Sequence, residues 1–148
     1  MEDNKQKIYS SLENQCAKRE YCTSDIYKKA LDKLEGDSAA AEELVARLVA
    51  DGFVSDLRYA SAFAREKASL TGWGPVKIRF ALSAKRIDRE VIDEALGEID
   101  AEKADAKLER LLEAKRRSLE GDPQIRLKLI KFALSRGYDY DTVKKFVG

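Results

Sequence analysis

Apolar residues recur at every third or fourth position through nearly the whole chain, and no stretch alternates with the period of two that a half-buried strand requires. Leu44, Val45, Leu48 and Val49 fall on one stripe of a helix, with Glu42, Glu43 and Arg47 outside it. Punctuation separates such stretches. Gly52 supplies a left-handed cap to the Leu44 helix, Ser55 and Asp88 offer N-caps to later ones, and Gly74-Pro75 and Asp122-Pro123 each set proline at a first helical position. The pattern predicts nine helices near residues 5–20, 24–35, 38–51, 56–70, 75–85, 89–99, 101–119, 123–136 and 140–147. The fold class is therefore all-α.

A weak internal repeat accompanies the helices. A break is followed by an apolar anchor, a polar cap and a new stripe. Phe53 precedes Ser55-Asp56 with Tyr59 and Phe63, Ile87 precedes Asp88 with Val91, Ile92 and Leu96, and Tyr138 precedes Asp139 with Val143 and Phe146. A related unit starts at Tyr21, with Ile26 and Leu31 downstream. A three-helix unit of this size buries little surface alone, so tandem units stacked into an elongated, curved body are expected.

Composition narrows the function classes. Hydrophobic residues make up 44% and charged ones 37% of 148 residues, as suits helices with solvated outer faces. The apolar run from Leu44 to Ala50 is broken by Arg47, far short of a membrane span, and Met1-Glu2-Asp3-Asn4 does not begin a signal peptide. Cys16 and Cys22 are too few for a disulfide scaffold. Without histidine they do not complete an ordinary zinc site, and six positions apart on a helix they would lie about 240° apart. A reduced cytoplasmic protein with structural cysteines, no metal, no cofactor and no small-molecule ligand is expected. No phosphate-binding glycine loop or G-x-S-x-G turn is present, and no acidic residue sits in a buried apolar run, so an enzyme is not expected. The absence of histidine also predicts no histidine switch between about pH 5 and 8.

Net charge is +1, which argues against a dedicated duplex-DNA binder, but its distribution is uneven. From Asp32 to Asp56 two basic residues face seven acidic ones; from Ala62 to Glu90 seven basic face three acidic; from Arg126 to Gly148 six face two. Candidate contacts for a partner or DNA follow from the two basic segments. Tyr59 and Phe63, at i and i+4, form a buried pair, leaving Arg58 to meet a partner or pair with Asp56. Trp73, the only tryptophan, is either an exposed stacking residue or a packing residue at a junction. Behind it Ile78 and Leu82 face inward. Lys77, Arg79, Lys85 and Arg86 cover the rest of that helix and, with Arg65 and Lys67, make the first candidate anion surface. Lys128, Lys131, Arg136, Lys144 and Lys145 make the second.

Two stretches carry a family resemblance. Asp51-Gly52-Phe53-Val54-Ser55-Asp56-Leu57-Arg58-Tyr59-Ala60 and Gly72-Trp73-Gly74-Pro75-Val76-Lys77-Ile78-Arg79, followed by Lys85-Arg86-Ile87 and Phe132-Ala133-Leu134-Ser135-Arg136-Gly137-Tyr138, stand in the order seen in RecX proteins. The chain resembles that family from about Leu12 to Val147. It departs at Arg86, where the family usually has glycine. A side chain in the left-handed region costs on the order of 1 kcal/mol, so this helix is expected to end differently. The resemblance implies three tandem three-helix modules, here about 5–52, 53–99 and 101–148, and no enzymatic activity. It further implies binding along the RecA filament on single-stranded DNA, where such proteins block growth or promote disassembly and lower ATP hydrolysis, strand exchange and repressor cleavage; weak direct DNA contact is compatible with it. Residues alone leave two rivals. One is a helix-turn-helix DNA binder reading with the Pro75 helix; the other is a helical scaffold for a different protein.

Overall fold

The computed structural model describes residues 2–147; Met1 and Gly148, the ends of the chain and of the third expected repeat, lie outside the described residues. The described residues form nine α-helices and no strand: α1 (Glu2–Lys18), α2 (Thr23–Lys33), α3 (Ser38–Ala50), α4 (Asp56–Glu66), α5 (Pro75–Ala84), α6 (Arg89–Gly97), α7 (Ala101–Ser118), α8 (Ile125–Ser135) and α9 (Tyr140–Val147). None of these helices is long and apolar enough to cross a membrane. Three successive apolar cores hold them. The first joins Ile8, Leu12, Ile26, Leu44 and Leu48 from α1, α2 and α3. The second joins Ala60, Ala64, Ile78, Leu82, Ile92 and Ala95 from α4, α5 and α6, and the third joins Leu108, Leu112, Leu129, Ala133 and Val143 from α7, α8 and α9. The tandem three-helix architecture thus arises because each amphipathic stripe is filled by its near neighbours in sequence.

The units interlock at their edges. Cys22, the N-cap of α2, is fully buried in the second core rather than the first, while Val54 packs into the first core. Cys16 belongs to α1 and Cys22 to the start of α2, so the expectation that compared them around one helix does not apply.

All three predicted anchors follow helix ends of one kind. After α3, Gly52 N–H donates to the Val49 carbonyl and Phe53 N–H to Leu48; after α5, Arg86 donates to Ser83 and Ile87 to Leu82; after α8, Gly137 donates to Leu134 and Tyr138 to Ala133. This paired Schellman pattern needs left-handed backbone at its first donor, with φ of +82° at Gly52, +60° at Arg86 and +97° at Gly137. The anchors are not equivalent in the fold, however. Ile87 and Tyr138 each lie between the second and third helices of a unit, whereas Phe53 lies on the connection from the first unit to the second. A helix stop is written by local backbone chemistry, and that chemistry does not tell a turn within a unit from a linker between units.

Arg86 corrects an expectation. The helix ends as a glycine-bearing one would, with a non-glycine residue held at positive φ. Arg86→Gly is accordingly expected to stabilise the protein by about 1 kcal/mol, relief of side-chain crowding outweighing the freedom gained by the unfolded chain. A thermal unfolding midpoint that failed to rise would contradict this.

Other local expectations also change. Val49 is 45% exposed instead of joining the Leu44 stripe. Asp88 occupies the N-cap of α6 but its side chain makes no capping bond, whereas the Ser55 hydroxyl accepts from Arg58 N–H at 3.2 Å as expected. Pro123 precedes the helix. The Asp122 carboxylate accepts from Gln124 N–H at 2.8 Å, closing a turn that delays the start of α8 to Ile125. Finally α4 stops at Glu66 and continues as one π-helical turn, Lys67–Thr71, which ends at Gly72 with φ of +74° while Trp73 N–H donates back to the Lys67 carbonyl at 2.8 Å.

Candidate functional site

Glycine makes the central contact between the second and third units. Gly74 N–H donates to the Arg136 carbonyl at 2.7 Å and Val76 N–H to the Gly137 carbonyl at 2.9 Å, so the start of α5 is stitched to the end of α8 by main chain alone. A Cβ on Gly74 would overlap the Gly137 carbonyl, and one on Gly137 would overlap the Lys77 side chain and come 2.7 Å from its backbone nitrogen. The Tyr138 hydroxyl donates to the Gly72 carbonyl at 3.2 Å, and burial pushes that phenol up. The guanidinium of Arg136 donates to the Thr71 carbonyl. The two motifs that stood far apart in the sequence, Gly72-Trp73-Gly74-Pro75 and Arg136-Gly137-Tyr138, are therefore the two halves of one clasp. Arg136, a candidate contact, is half-buried within it, and its Nε is buried without a partner among the described residues.

Around the clasp lies an aromatic and cationic ladder. Tyr59 and Phe63 stack with centroids 6.0 Å apart, both half-buried against the second core, and Trp73 meets Phe63 edge-on at 6.1 Å. Lys67 and Lys77 hold their ammonium groups 4.9 Å and 4.6 Å from the Trp73 ring centroid. Trp73 also lines a cavity of about 200 Å³ with Tyr138 and Thr142, so it packs at the junction while its ring remains half-exposed.

On α5 the inward stripe is as expected, with Ile78 and Leu82 fully buried. Its outer face carries Val76 (54% exposed) and Phe80 (78%), one turn apart and flanked by Lys77 and Arg79. The signal for this pair in the sequence is its i, i+4 spacing away from Ile78 and Leu82. Arg79 reaches Asp93 on α6 at 2.7 Å, and exposed Arg86 lies just past the helix end.

Two further candidates are engaged at the junction of the first and second units. Lys85 binds the Asp25 carboxylate at 3.0 Å, which raises its pKa, while its carbonyl accepts from the Ser24 hydroxyl at 2.7 Å. Arg58 pairs with Glu20 at 3.0 Å and donates to the Gly52 carbonyl at 2.9 Å. It does not pair with Asp56, whose carboxylate instead accepts from Thr23 N–H at 2.7 Å across the same junction. In the third unit Lys128 pairs with Asp122, holding that carboxyl below its usual range, and Lys144 lies 5.8 Å from the Tyr140 ring. Lys131 and Lys145 are exposed.

Arg65 belongs with residues that the charge scan missed. Between α4 with its π turn and α7 runs a groove of about 500 Å³, lined by Arg65, Lys103, Lys107 and Arg110 over Ala68, Ile99 and Ala104, with Glu98 and Asp100 also on its wall. Asp100 is occupied in capping α7, accepting from Glu102 and Lys103 N–H. Lys103, Lys107 and Arg110 stand at i, i+4 and i+7. That spacing was the available signal, hidden because interleaved acidic residues cancel the charge along the chain but not around the helix.

Thiol and phenol chemistry is subdued. Burial raises the pKa of both Cys16 and Cys22, and burial together with the Asp51 carboxylate pushes Tyr9 up to about 12. Among the described residues no cluster of three or more metal-ligating side chains occurs.

Comparison with known proteins places this geometry. A family model described as RecX, second three-helix domain, matches residues 55–96, the stretch from the α4 cap through α6. The regulatory protein RecX of Clostridium botulinum (strain Eklund 17B / Type B) is 35% identical over 99 residues, covering 64% of this chain and 46% of that protein. That of Pseudomonas entomophila (strain L48) is 28% identical over 132 residues, covering 88% of this chain and 83% of the relative. The chain spans about half the length of the clostridial relatives it matches. The crystal structure of RecX from Lactobacillus salivarius shares its fold, with a TM-score of 0.86 at 23% identity over 99% of this chain and 96% of that one.

Proposed function

Because the chain belongs to the RecX family, we propose that it is a non-enzymatic, cytoplasmic regulator of the RecA recombinase. In this reading it binds RecA and RecA filaments on single-stranded DNA and lowers their ATPase, strand-exchange and co-protease activities. Units of about residues 5–52, 53–99 and 101–148 present successive faces to a partner of helical repeat symmetry. The observation that carries the reading is the outer face of α5, where exposed Val76 and Phe80 lie among Lys77, Arg79 and Arg86. An aromatic anchor ringed by cations suits a protein surface with an apolar pocket and acidic rim. Lys128, Lys131, Lys144 and Lys145 add a second cationic surface for the same filament or its phosphates.

The single-stranded-DNA-dependent ATPase of RecA, titrated with this protein below one-to-one stoichiometry, tests the reading. Inhibition is expected at substoichiometric amounts, since one bound regulator can halt growth of a filament of many protomers. No effect up to molar excess would refute it. Reversal of both charges in Lys77→Glu/Arg79→Glu is expected to raise the concentration needed by about tenfold or more, two half-buried surface contacts each contributing up to about 1 kcal/mol. Undiminished inhibition would remove α5 from the interface.

A further inference from the structure

The groove between α4 and α7 differs from the other cationic surfaces of the molecule in two respects. It is concave, and its volume of about 500 Å³ lies in the range of small-ligand sites. Its lining also includes apolar Ala68, Ile99 and Ala104, against which an aromatic ring could pack. Arg65, Lys103, Lys107 and Arg110 form no ion pair among the described residues, although Glu98 and Asp100 also line the groove. Four cations against two carboxylates leave the wall of this concavity with an excess of positive charge that an anionic ligand neutralises. The concavity also continues toward Trp73, since Ala68, Ile99 and Ala104 line the adjoining 200 Å³ cavity as well.

We propose that this groove is a nucleotide site. The base lies on the floor at Ala68 and Ile99, and its phosphates meet Arg65, Lys103, Lys107 and Arg110. Only a ligand with both an apolar ring face and several negative charges uses both halves of the groove. Phosphate alone would leave the floor in contact with water, and an apolar ligand alone would leave the cations unneutralised. A free nucleoside triphosphate and a unit of a single-stranded chain present the same chemistry. Because the groove is built from the second and third units together, the clasp at Gly74 and Gly137 fixes its width. The proposal stands apart from the recombinase reading, as binding requires no recombinase.

Fluorescence anisotropy of a labelled oligothymidylate of roughly 15 nucleotides, with ATP and inorganic tripolyphosphate as competitors, tests it on the full chain. Lys103→Glu/Arg110→Glu changes two residues exposed at the surface. It is expected to lose about tenfold or more in affinity while the single exposed change Lys28→Glu on α2, outside the groove, shifts it less than about twofold. Circular dichroism and melting should match the unmodified protein in both variants. Displacement of the oligonucleotide by ATP, and not by tripolyphosphate, would identify the free nucleotide as a ligand; resistance to ATP with loss in the double variant would identify the polynucleotide. Absence of binding, equal loss per reversed charge in the two variants, or displacement by tripolyphosphate as effectively as by ATP would overturn the proposal.

Discussion

Gly74→Val is expected to lower stability by about 3 kcal/mol or more and to uncouple the third unit from the second. The branched side chain would occupy the volume of the Gly137 carbonyl, so the two backbones would have to separate. Separation breaks the Gly74-to-Arg136 and Val76-to-Gly137 hydrogen bonds. Each contributes about 1 kcal/mol net, and Gly74 is a buried residue, so a donor left there without water costs up to about 3 kcal/mol. Losses of the Tyr138-to-Gly72 bond and of the Arg136-to-Thr71 bond should follow from the same movement. In urea, a transition shared by all helices should become two, the less stable reporting α7, α8 and α9. Gly97→Ala is the matched control, since a Cβ there meets open space on a helix, and it should be neutral or stabilising by up to about 1 kcal/mol. Coincident unfolding of the valine variant with the unmodified protein would mean that the clasp does not hold the units together.

Ile78→Ala should cost about 2–5 kcal/mol, the range for truncating a fully buried aliphatic side chain. Ile78 has no exposed surface, and it sits in the second core with Ala60, Ala64, Leu82 and Ile92. Alanines already fill much of that core, leaving few large neighbours able to move into the vacated space. For a domain stable by about 5–15 kcal/mol, the loss is a large share of the total. The denaturant midpoint should fall with little change in slope; a loss under about 1 kcal/mol would show that α5 is loosely packed. The comparison with Lys77→Glu/Arg79→Glu is informative because the two lesions lie on one helix. The buried change should reduce function only in proportion to unfolding, whereas the charge reversals should reduce it in a fully folded protein.

Much of the secondary structure was legible because its causes are local. The αL position after α3, the Ser55 cap and the Pro75 start depend on residues within one turn of themselves, and the backbone obeys them. Even Arg86 illustrates this: the Schellman hydrogen bonds of Ile87 and the burial of its side chain outweigh the strain at one residue. Structure and sequence diverge where a local signal has two structural meanings. The break at Gly52-Phe53 resembles those at Arg86-Ile87 and Gly137-Tyr138 in backbone chemistry, yet it links units while the others turn within them. Proline after aspartate fits a first helical position as well as a turn, and at Pro123 the Asp122 carboxylate closes the turn first.

The candidate surface was legible in part. Lys67, Trp73 and Lys77 converge, and Arg65 joins a cationic wall, but Arg58, Lys85 and Arg136 turn inward to junctions whose partners lie 38, 60 and 65 positions away. Lys103, Lys107 and Arg110 escaped a scan that summed charge along the chain.

By itself the sequence determined an all-helical chain, the positions of most helix ends, inward stripes such as those of α5 and α6, and the membership that its ordered motifs announce. These follow from hydrogen bonding and steric preference within a few residues, together with the 3.6-residue period. Only the tertiary structure decided that the Gly72 and Gly137 motifs are two sides of one contact, that Cys22 belongs to its neighbour's core, and that cations from α4 and α7 face each other across a groove. Those outcomes depend on which surfaces meet after the helices pack, and close approach of two backbones at paired glycines is a property of neither segment alone.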